Sequence, residues 1–399
     1  MRSLAWFEAR KVARNPLLWL GALLLFALAV LNAWGYWPTV PQDAEYVHEG
    51  LVVLAPFALL AGAALGLRDE TSGAANVVSS TPLAGRSRIV PARLLAVATV
   101  ALLSCVVAFA ATWTTSIVRG GHGVPDAFLV LDASLYIALA GAAGFGIGRL
   151  TGSRIMSLLA APLLPAFAYF LQGRQTGRVT DPSWLLPSPV VPGYFGPLGY
   201  LPDVFAIHSV YLLGGLLVLG GGIWIAVARR EGAGSVHVPV AVTIAGSLTV
   251  VAAGAWLVTQ PFEVHVMSAA RSTWVEIHSP RDYDLLPRTG ASSSLTRFSG
   301  PADRALATEC AEAEGIVACV FPEYGTEFAR AVVRDAAPLA EVASLEGIPR
   351  KLRMVPVTEE SGVNQCAGGD DELLLTSTRW SREFEVFEST GEAAFYCAI

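Results

Sequence analysis

The sequence predicts an all-α polytopic membrane bundle of about seven transmembrane helices, followed by a small α+β extracytoplasmic domain. Three observations carry this reading. Hydrophobic residues make up 53% of the 399 positions and charged residues only 15%, against about 25% charged in an ordinary soluble globule. Seven apolar stretches are long enough, or nearly so, to cross a bilayer. The charge balance also changes along the chain: residues 1–258 hold 15 Lys/Arg and 11 Asp/Glu, whereas 259–399 hold 12 and 22. An apolar, weakly basic part thus precedes a polar, acidic one, with a boundary near residue 259. Lysine occurs only at Lys11 and Lys351 while arginine is common, a bias that suggests a GC-rich bacterial genome.

The apolar stretches run about Leu17–Trp37, Leu51–Leu67, Leu94–Val118, Phe128–Leu150, Ile155–Leu171, Val204–Ala228 and Val238–Val258. A span needs about 20 such residues. The fifth is short and holds Pro162 and Pro165, so it reads either as a span, whose neighbours satisfy the freed backbone groups, or as a re-entrant hairpin. The first run is too long for a signal peptide and has no clear small-residue cleavage site after Trp37, so it reads as a retained span.

Arginine and lysine set the orientation. With the N-terminus inside, the inner segments hold twelve basic residues: Arg2, Arg10, Lys11, Arg14, Arg68, Arg86, Arg88, Arg93, Arg149, Arg154, Arg229 and Arg230. The outer loops before residue 259 hold only three, Arg119, Arg174 and Arg178. Seven crossings then place 259–399 outside. If the fifth segment failed to cross, the pair Arg229–Arg230 would face outward, against the same rule.

Residues 1–16 read as a cytoplasmic amphipathic helix. Ala5, Trp6, Ala9, Val12 and Ala13 share one side of a helical wheel, and Glu8, Arg10, Lys11 and Arg14 the other, although Leu4 and Phe7 interrupt the pattern. Such a basic helix lies on the inner leaflet; a plain positive-inside anchor is the alternative. The longest inner loop starts with Asp69 and Glu70 after Arg68. Small and helix-tolerant residues follow, and Thr81–Pro82 closes the run, because a residue before proline leaves the helical region. Arg86, Arg88 and Arg93 lead into the third span. The loop has room for one short helix parallel to the membrane between two turns.

These features resemble the membrane subunits of type-2 ABC transporters, of the kind found in actinobacteria. The matching residues are Glu70, Gly73, Thr81, Pro82, Arg86, Arg93 and Leu94–Ala96, in a chain where a surface helix precedes the first span. The resemblance covers roughly residues 1–230. It implies that 17–230 is a six-helix permease-like domain, that the loop with Asp69, Glu70, Gly73, Thr81, Pro82 and Arg86 docks on a separate ATPase subunit, and that the permease works as a homodimer or heterodimer. The seventh span, 238–258, and the external domain, 259–399, depart from the family's norm of six spans.

The chain has no G-x-x-x-x-G-K-[ST] phosphate-cradling loop, so no cofactor of its own is expected and ATP would be used by the partner. The glycines at 141–148 sit in an apolar helix and read as close helix–helix packing sites.

On the outer side, the loop at 172–203 is rich in Pro, Gly and aromatics. In type-2 ABC permeases this region forms short re-entrant helices near the outer gate. By that resemblance Trp184, Tyr194, Phe195 and Tyr200 are candidate gate residues; the alternative is an interfacial aromatic belt. Asp132 and His208 read as interfacial residues near the outer ends of the fourth and sixth spans, rather than as a relay. An almost uncharged membrane core suits an exporter of apolar or amphipathic substrate better than an ion pump.

In 259–399, strand-like runs are Phe262–Met267, Thr273–Ile277, Ile316–Phe321 and Phe384–Phe387, and helix-like stretches are about Ala302–Ala313 and Glu327–Leu345. Cys310, Cys319, Cys366 and Cys397 are an even set in an exported domain, which suggests disulfides. Four cysteines allow three connectivities; the sequence-local one, Cys310–Cys319 with Cys366–Cys397, is expected. The spacings contain no C-x-x-C pair, and His265 and His278 are not at ligand spacing, so no metal is expected. The stretch from Cys310 to Pro356 loosely resembles a domain of actinobacterial permease-like proteins, which supplies no site residues. No H-E-x-x-H or G-x-S-x-G motif occurs, and an enzyme is not expected.

The expected function is therefore a plasma-membrane permease subunit of an ABC-type exporter, with the bilayer and an ABC ATPase as partners and no nucleic acid. The competing reading is a membrane-anchored sensor or binding protein whose external domain carries the function, the spans being scaffold.

Overall fold

A computed structural model describes residues 2–34, 40–71, 83–121, 127–172, 185, 202–230, 236–259, 264–268, 273–277, 295–298, 309–313, 315–320, 325–342, 351–355 and 372–376. Structural statements concern these residues. Among them, five helices are long and apolar enough to cross a membrane, or six if the bent pair at the N-terminus counts as one span.

That pair is α1 (Arg2–Ala13) and α2 (Pro16–Trp34), meeting at 58°. The break follows from two residues. Asn15 Oδ1 accepts a hydrogen bond from the Leu17 backbone N–H at 3.1 Å, and Pro16, lacking an N–H, takes the first helical position.

Helix α3 (Val40–Glu49) was not expected from the sequence. It ends at a turn where Gly50 N–H donates to the Tyr46 carbonyl at 3.0 Å, and α4 (Leu51–Thr71) follows at once. Helix α5 (Leu83–Val118) has 36 residues, about 54 Å at 1.5 Å per residue, and passes through Pro91. It starts well before the expected span and takes in Arg86, Arg88 and Arg93.

Then come α6 (Ala127–Thr151), α7 (Arg154–Gln172), α8 (Pro202–Arg230) and α9 (His237–Thr259). The fifth apolar segment is thus one continuous helix, α7, with no hairpin inside it.

Small residues set how closely the helices approach. A Cβ on Gly144 would collide with the Leu59 carbonyl, and one on Gly62 with the Gly141 carbonyl, so α4 and α6 pack backbone against backbone. The packing role expected for the glycines at 141–148 is therefore met.

Helix directions follow from the contacts. Leu59 of α4 meets Gly144 of α6, and Gly66 meets Phe145 and Arg149 further along, so α4 and α6 run parallel. Helices α6 and α8 are parallel too: His208 meets Asp132 near their N-terminal ends, and Arg230 Nη1 donates to the Leu150 carbonyl at 2.7 Å near their C-terminal ends. The chain between Thr151 and Pro202 must therefore return from one end of the bundle to the other, and α7 lies on that return. Helix α9 is antiparallel to α8, with Gly214 against Val250 and Gly221 against Pro239 and Thr243.

The C-terminal part has two sheets. One has the order β2-β1-β3, from β1 (Val264–Ser268), β2 (Thr273–Ile277) and β3 (Leu295–Phe298), all antiparallel. The other has the order β4-β5-β6-β7, from β4 (Glu309–Ala313), β5 (Ile316–Val320), β6 (Lys351–Val355) and β7 (Glu372–Thr376). Its β4–β5 pair is antiparallel and the others parallel. Helix α10 (Gly325–Val342) lies between β5 and β6 in the chain, as a parallel crossover requires, and buries Phe328, Ala329, Val332 and Val333.

The helix expected at Ala302–Ala313 is corrected over its last five residues, which form β4. Gly315, at φ 77°, closes a tight turn onto β5, and pairing along that hairpin overrides local helix propensity. Cys310 and Cys319 lie directly opposite in register, 4.1 Å apart at Cα, and are joined by the expected disulfide. Cys366, Cys397 and the run Phe384–Phe387 lie outside the described residues.

Candidate functional site

Two charged clusters mark opposite ends of the helical bundle. The first is at the end that carries Arg68, Arg93, Arg149 and Arg230. Glu8 of α1 is buried there and faces three cations: Arg68 Nη1 at 3.2 Å, Lys11 Nζ at 3.5 Å and Arg93 Nε at 3.8 Å. Arg68 belongs to the last turn of α4 and Arg93 to the start of the apolar part of α5. These are the two roots of the segment at 72–82, so one carboxylate on α1 fastens both.

This corrects the wheel assigned to α1. Glu8 and Val12 point inward, while Trp6 and Phe7 are exposed. Arg10 lies over the Trp6 ring at 5.1 Å and Lys11 over the Phe7 ring at 3.6 Å, so the cations cover the aromatic faces. The outward face is aromatic and basic together, and the buried stripe is anchored by an ion pair. A wheel scored on hydrophobicity alone misplaces a paired carboxylate.

Of the loop residues, Asp69 and Glu70 lie in the last turn of α4 and Arg86 in the first turn of α5. Gly73, Thr81 and Pro82 lie outside the described residues, as do Trp184, Tyr194, Phe195 and Tyr200. Next to that outer loop, Tyr211 Oη donates to the Leu185 carbonyl at 2.9 Å.

The second cluster lies toward the other end and corrects the interfacial reading of Asp132 and His208. Both are fully buried, and His208 Nδ1 stands 2.5 Å from Asp132 Oδ1. His48 of α3 stands on the other side, its Nε2 3.7 Å from Asp132 Oδ2. The His208 ring stacks on Tyr211, and the His48 ring meets Phe205 edge-on. On α3, the carboxylate of Asp43 accepts a hydrogen bond from the Ser116 hydroxyl of α5. Burial pushes the Asp43 carboxyl up to about 6, a rise partly offset by the Ser116 hydroxyl and by Arg119.

A signal for this cluster was present: an acidic residue within an apolar helix is costly unless partnered. His48, which sits in the unexpected helix α3, could not be paired with Asp132 by spacing along the chain.

Comparison of the chain with protein-family models, with curated proteins and with solved structures finds no match. Functional inference therefore rests on the geometry and on the residue pattern.

Proposed function

We propose that the chain is the transmembrane permease subunit of an ABC-type exporter, coupled to a separate ATPase subunit through its cytoplasmic loop at 69–82. The observation that carries this is the Glu8 cluster. A docking loop moves a membrane domain only if its roots are tied to the spans. Here Glu8 links the α4 root at Arg68 and the α5 root at Arg93 to the surface helix α1. A displacement of the loop is then shared by three helices rather than absorbed by one. The exposed Trp6 and Phe7, with Arg10 over the first and Lys11 over the second, suit an inner-leaflet position for α1.

The topology that goes with this reading has seven spans, a cytoplasmic N-terminus, a permease-like core over 17–230 and a seventh span at 238–258 that places 259–399 outside, in the plasma membrane. The parallel run of α6 and α8, with basic residues gathered at their C-terminal ends, supports a crossing by the α7 segment. The core acts as a dimer of permease chains. Trp184, Tyr194, Phe195 and Tyr200 are its outer gate, and Cys366–Cys397 forms the second disulfide.

The test is co-purification with an ATPase subunit encoded nearby, followed by substitution of Glu70 and Thr81. Loss of ATPase binding or of coupled ATPase activity is expected. Unchanged binding and coupling after both substitutions sinks the loop assignment.

One observation favours a second reading, a membrane-anchored sensor or binding protein. Three titratable side chains are buried together in the bundle, which ATP coupling does not require. Failure of any ATPase to co-purify, with the external domain still folded and exposed, decides for that reading.

A further inference from the structure

The bundle buries a set of side chains suited to taking up a proton. His48, Asp132 and His208 come from three helices, α3, α6 and α8, and none is more than 3% exposed. Asp132 Oδ1 is engaged by His208 Nδ1 at 2.5 Å, within hydrogen-bond reach. Asp132 Oδ2 and His48 Nε2 are different: both are buried, neither has a hydrogen-bond partner, and they face each other across 3.7 Å. A buried polar atom without a partner costs about 1–3 kcal/mol. With Nε2 bare, two acceptors oppose one another. A proton added there makes an imidazolium beside a carboxylate, and a closure of about 1 Å turns the gap into a bond of about 2.8 Å. No other ligand is needed to satisfy both atoms. Among the described residues no group of three His, Cys, Asp or Glu is placed to hold a metal ion.

We propose that His48, Asp132 and His208 form a proton-binding site within the membrane domain. The proton adds to His48 Nε2 and is held against Asp132 Oδ2, while His208 keeps Asp132 Oδ1 and so fixes the carboxylate. The charge of the cluster rises by one. Binding draws α3 onto α6 and α8, so the site works as a latch on the short helix that joins the first two spans. Asp132 lies five residues into α6, about 8 Å from its start, so protons reach the site from the face opposite the Glu8 cluster. This inference goes beyond the permease reading and does not depend on it.

Among the described side chains, other titratable groups around the cluster are few. Helix α3 adds Asp43 and Tyr46, α5 adds Cys105, the turn after it Arg119, α6 itself adds Tyr136, and α8 adds Tyr211. The described side chains of α4 and α7 contribute only Arg68 and Arg154, at the opposite end. Phenols, thiols and guanidinium groups ordinarily titrate above about pH 8, so among these described groups Asp43, raised to about 6, is the competitor at lower pH.

The experiment uses the full chain in lipid nanodiscs, in an Asp43→Asn background, with protons as the only ligand. Nitrogen-15 histidine resonances are followed from about pH 8 to about pH 5, the window in which imidazole changes charge. The chain has six histidines, and His48→Gln identifies the resonance that matters. That resonance is expected to convert to the imidazolium form, and Asp132→Asn to demand at least a tenfold higher proton concentration for the same conversion. Amide exchange of α3 is expected to slow at least tenfold on acidification, and His48→Gln to abolish the slowing. A His48 resonance that stays neutral throughout overturns the site, and needs only the Asp43→Asn protein and the His48→Gln assignment. Conversion of that resonance without slower exchange in α3 overturns the latch.

Discussion

Replacing Glu8 by Gln removes the charge on which three cations converge while keeping the side chain's size. At an effective dielectric near 20, unit charges at the observed 3.2, 3.5 and 3.8 Å attract by about 4–5 kcal/mol per pair. Those attractions do not add, because the cations repel one another and the carboxylate loses its hydration on burial. The side chains of Arg68 and Lys11 are 41% and 29% exposed, so water already screens two of the three pairs. Arg93 is buried, with its side chain 8% exposed, so its pair with Glu8 is the least screened of the three. The net loss comes to about 2–3 kcal/mol. For a domain of this size that lowers the thermal midpoint by about 5 °C. The assay is thermal unfolding of the purified full chain in detergent at fixed scan rate, with ATPase stimulation measured in parallel. Glu8→Gln should lower the midpoint and weaken coupling together. A midpoint within about 1 °C of wild type, with coupling unchanged, refutes the claim that Glu8 fastens the loop.

The α4–α6 contact, helix α3 and the β4–β5 hairpin give further predictions. Gly144→Val places a branched side chain on the Leu59 carbonyl, and forcing α4 from α6 should cost about 1–3 kcal/mol, read as a lower thermal midpoint in detergent. Asp43 binds its proton more tightly when folded, at about 6 against 3.8, so its contribution is complete below about pH 4 and falls away as pH rises through 6. The wild-type chain should therefore lose about 2–3 kcal/mol between those limits that Asp43→Asn does not lose, measured as the pH dependence of unfolding. Thiol labelling of the folded β4–β5 hairpin should find Cys310 and Cys319 protected until reductant is added, and the double Cys→Ser variant should lose about 3 kcal/mol of stability.

How much was legible in the sequence depends on how local the cause is. Apolar stretches longer than about 20 residues report helices that cross a membrane, because every backbone polar group there must be satisfied within the segment. That requirement acts along the chain, so the helices from α2 to α9 emerge close to their expected bounds, α3 and the early start of α5 apart. The break at Asn15–Pro16 has an equally local cause, as does the packing role of the glycines near 144. The pairing of Cys310 with Cys319 was legible because the two lie close in sequence, although the hairpin that joins them was not. The same hairpin turned an expected helix into β4, since strand pairing draws on a partner that helix propensity does not see.

The charged side chains were decided by tertiary structure. Glu8 read as part of the wet face of α1 and is buried, because Arg68 and Arg93 arrive from 60 and 85 residues away to neutralise it. Asp132 and His208 read as separate interfacial residues and form one pair, 76 residues apart in the chain. His48 joins them only because α3 folds back against α5 and α6. A charge is tolerated inside a membrane domain according to what lies within about 4 Å of it, and that is a property of the fold. The sequence by itself determined a run of long apolar helices followed by a polar, acidic segment; the tertiary structure decided which of the few charges among the apolar helices face each other.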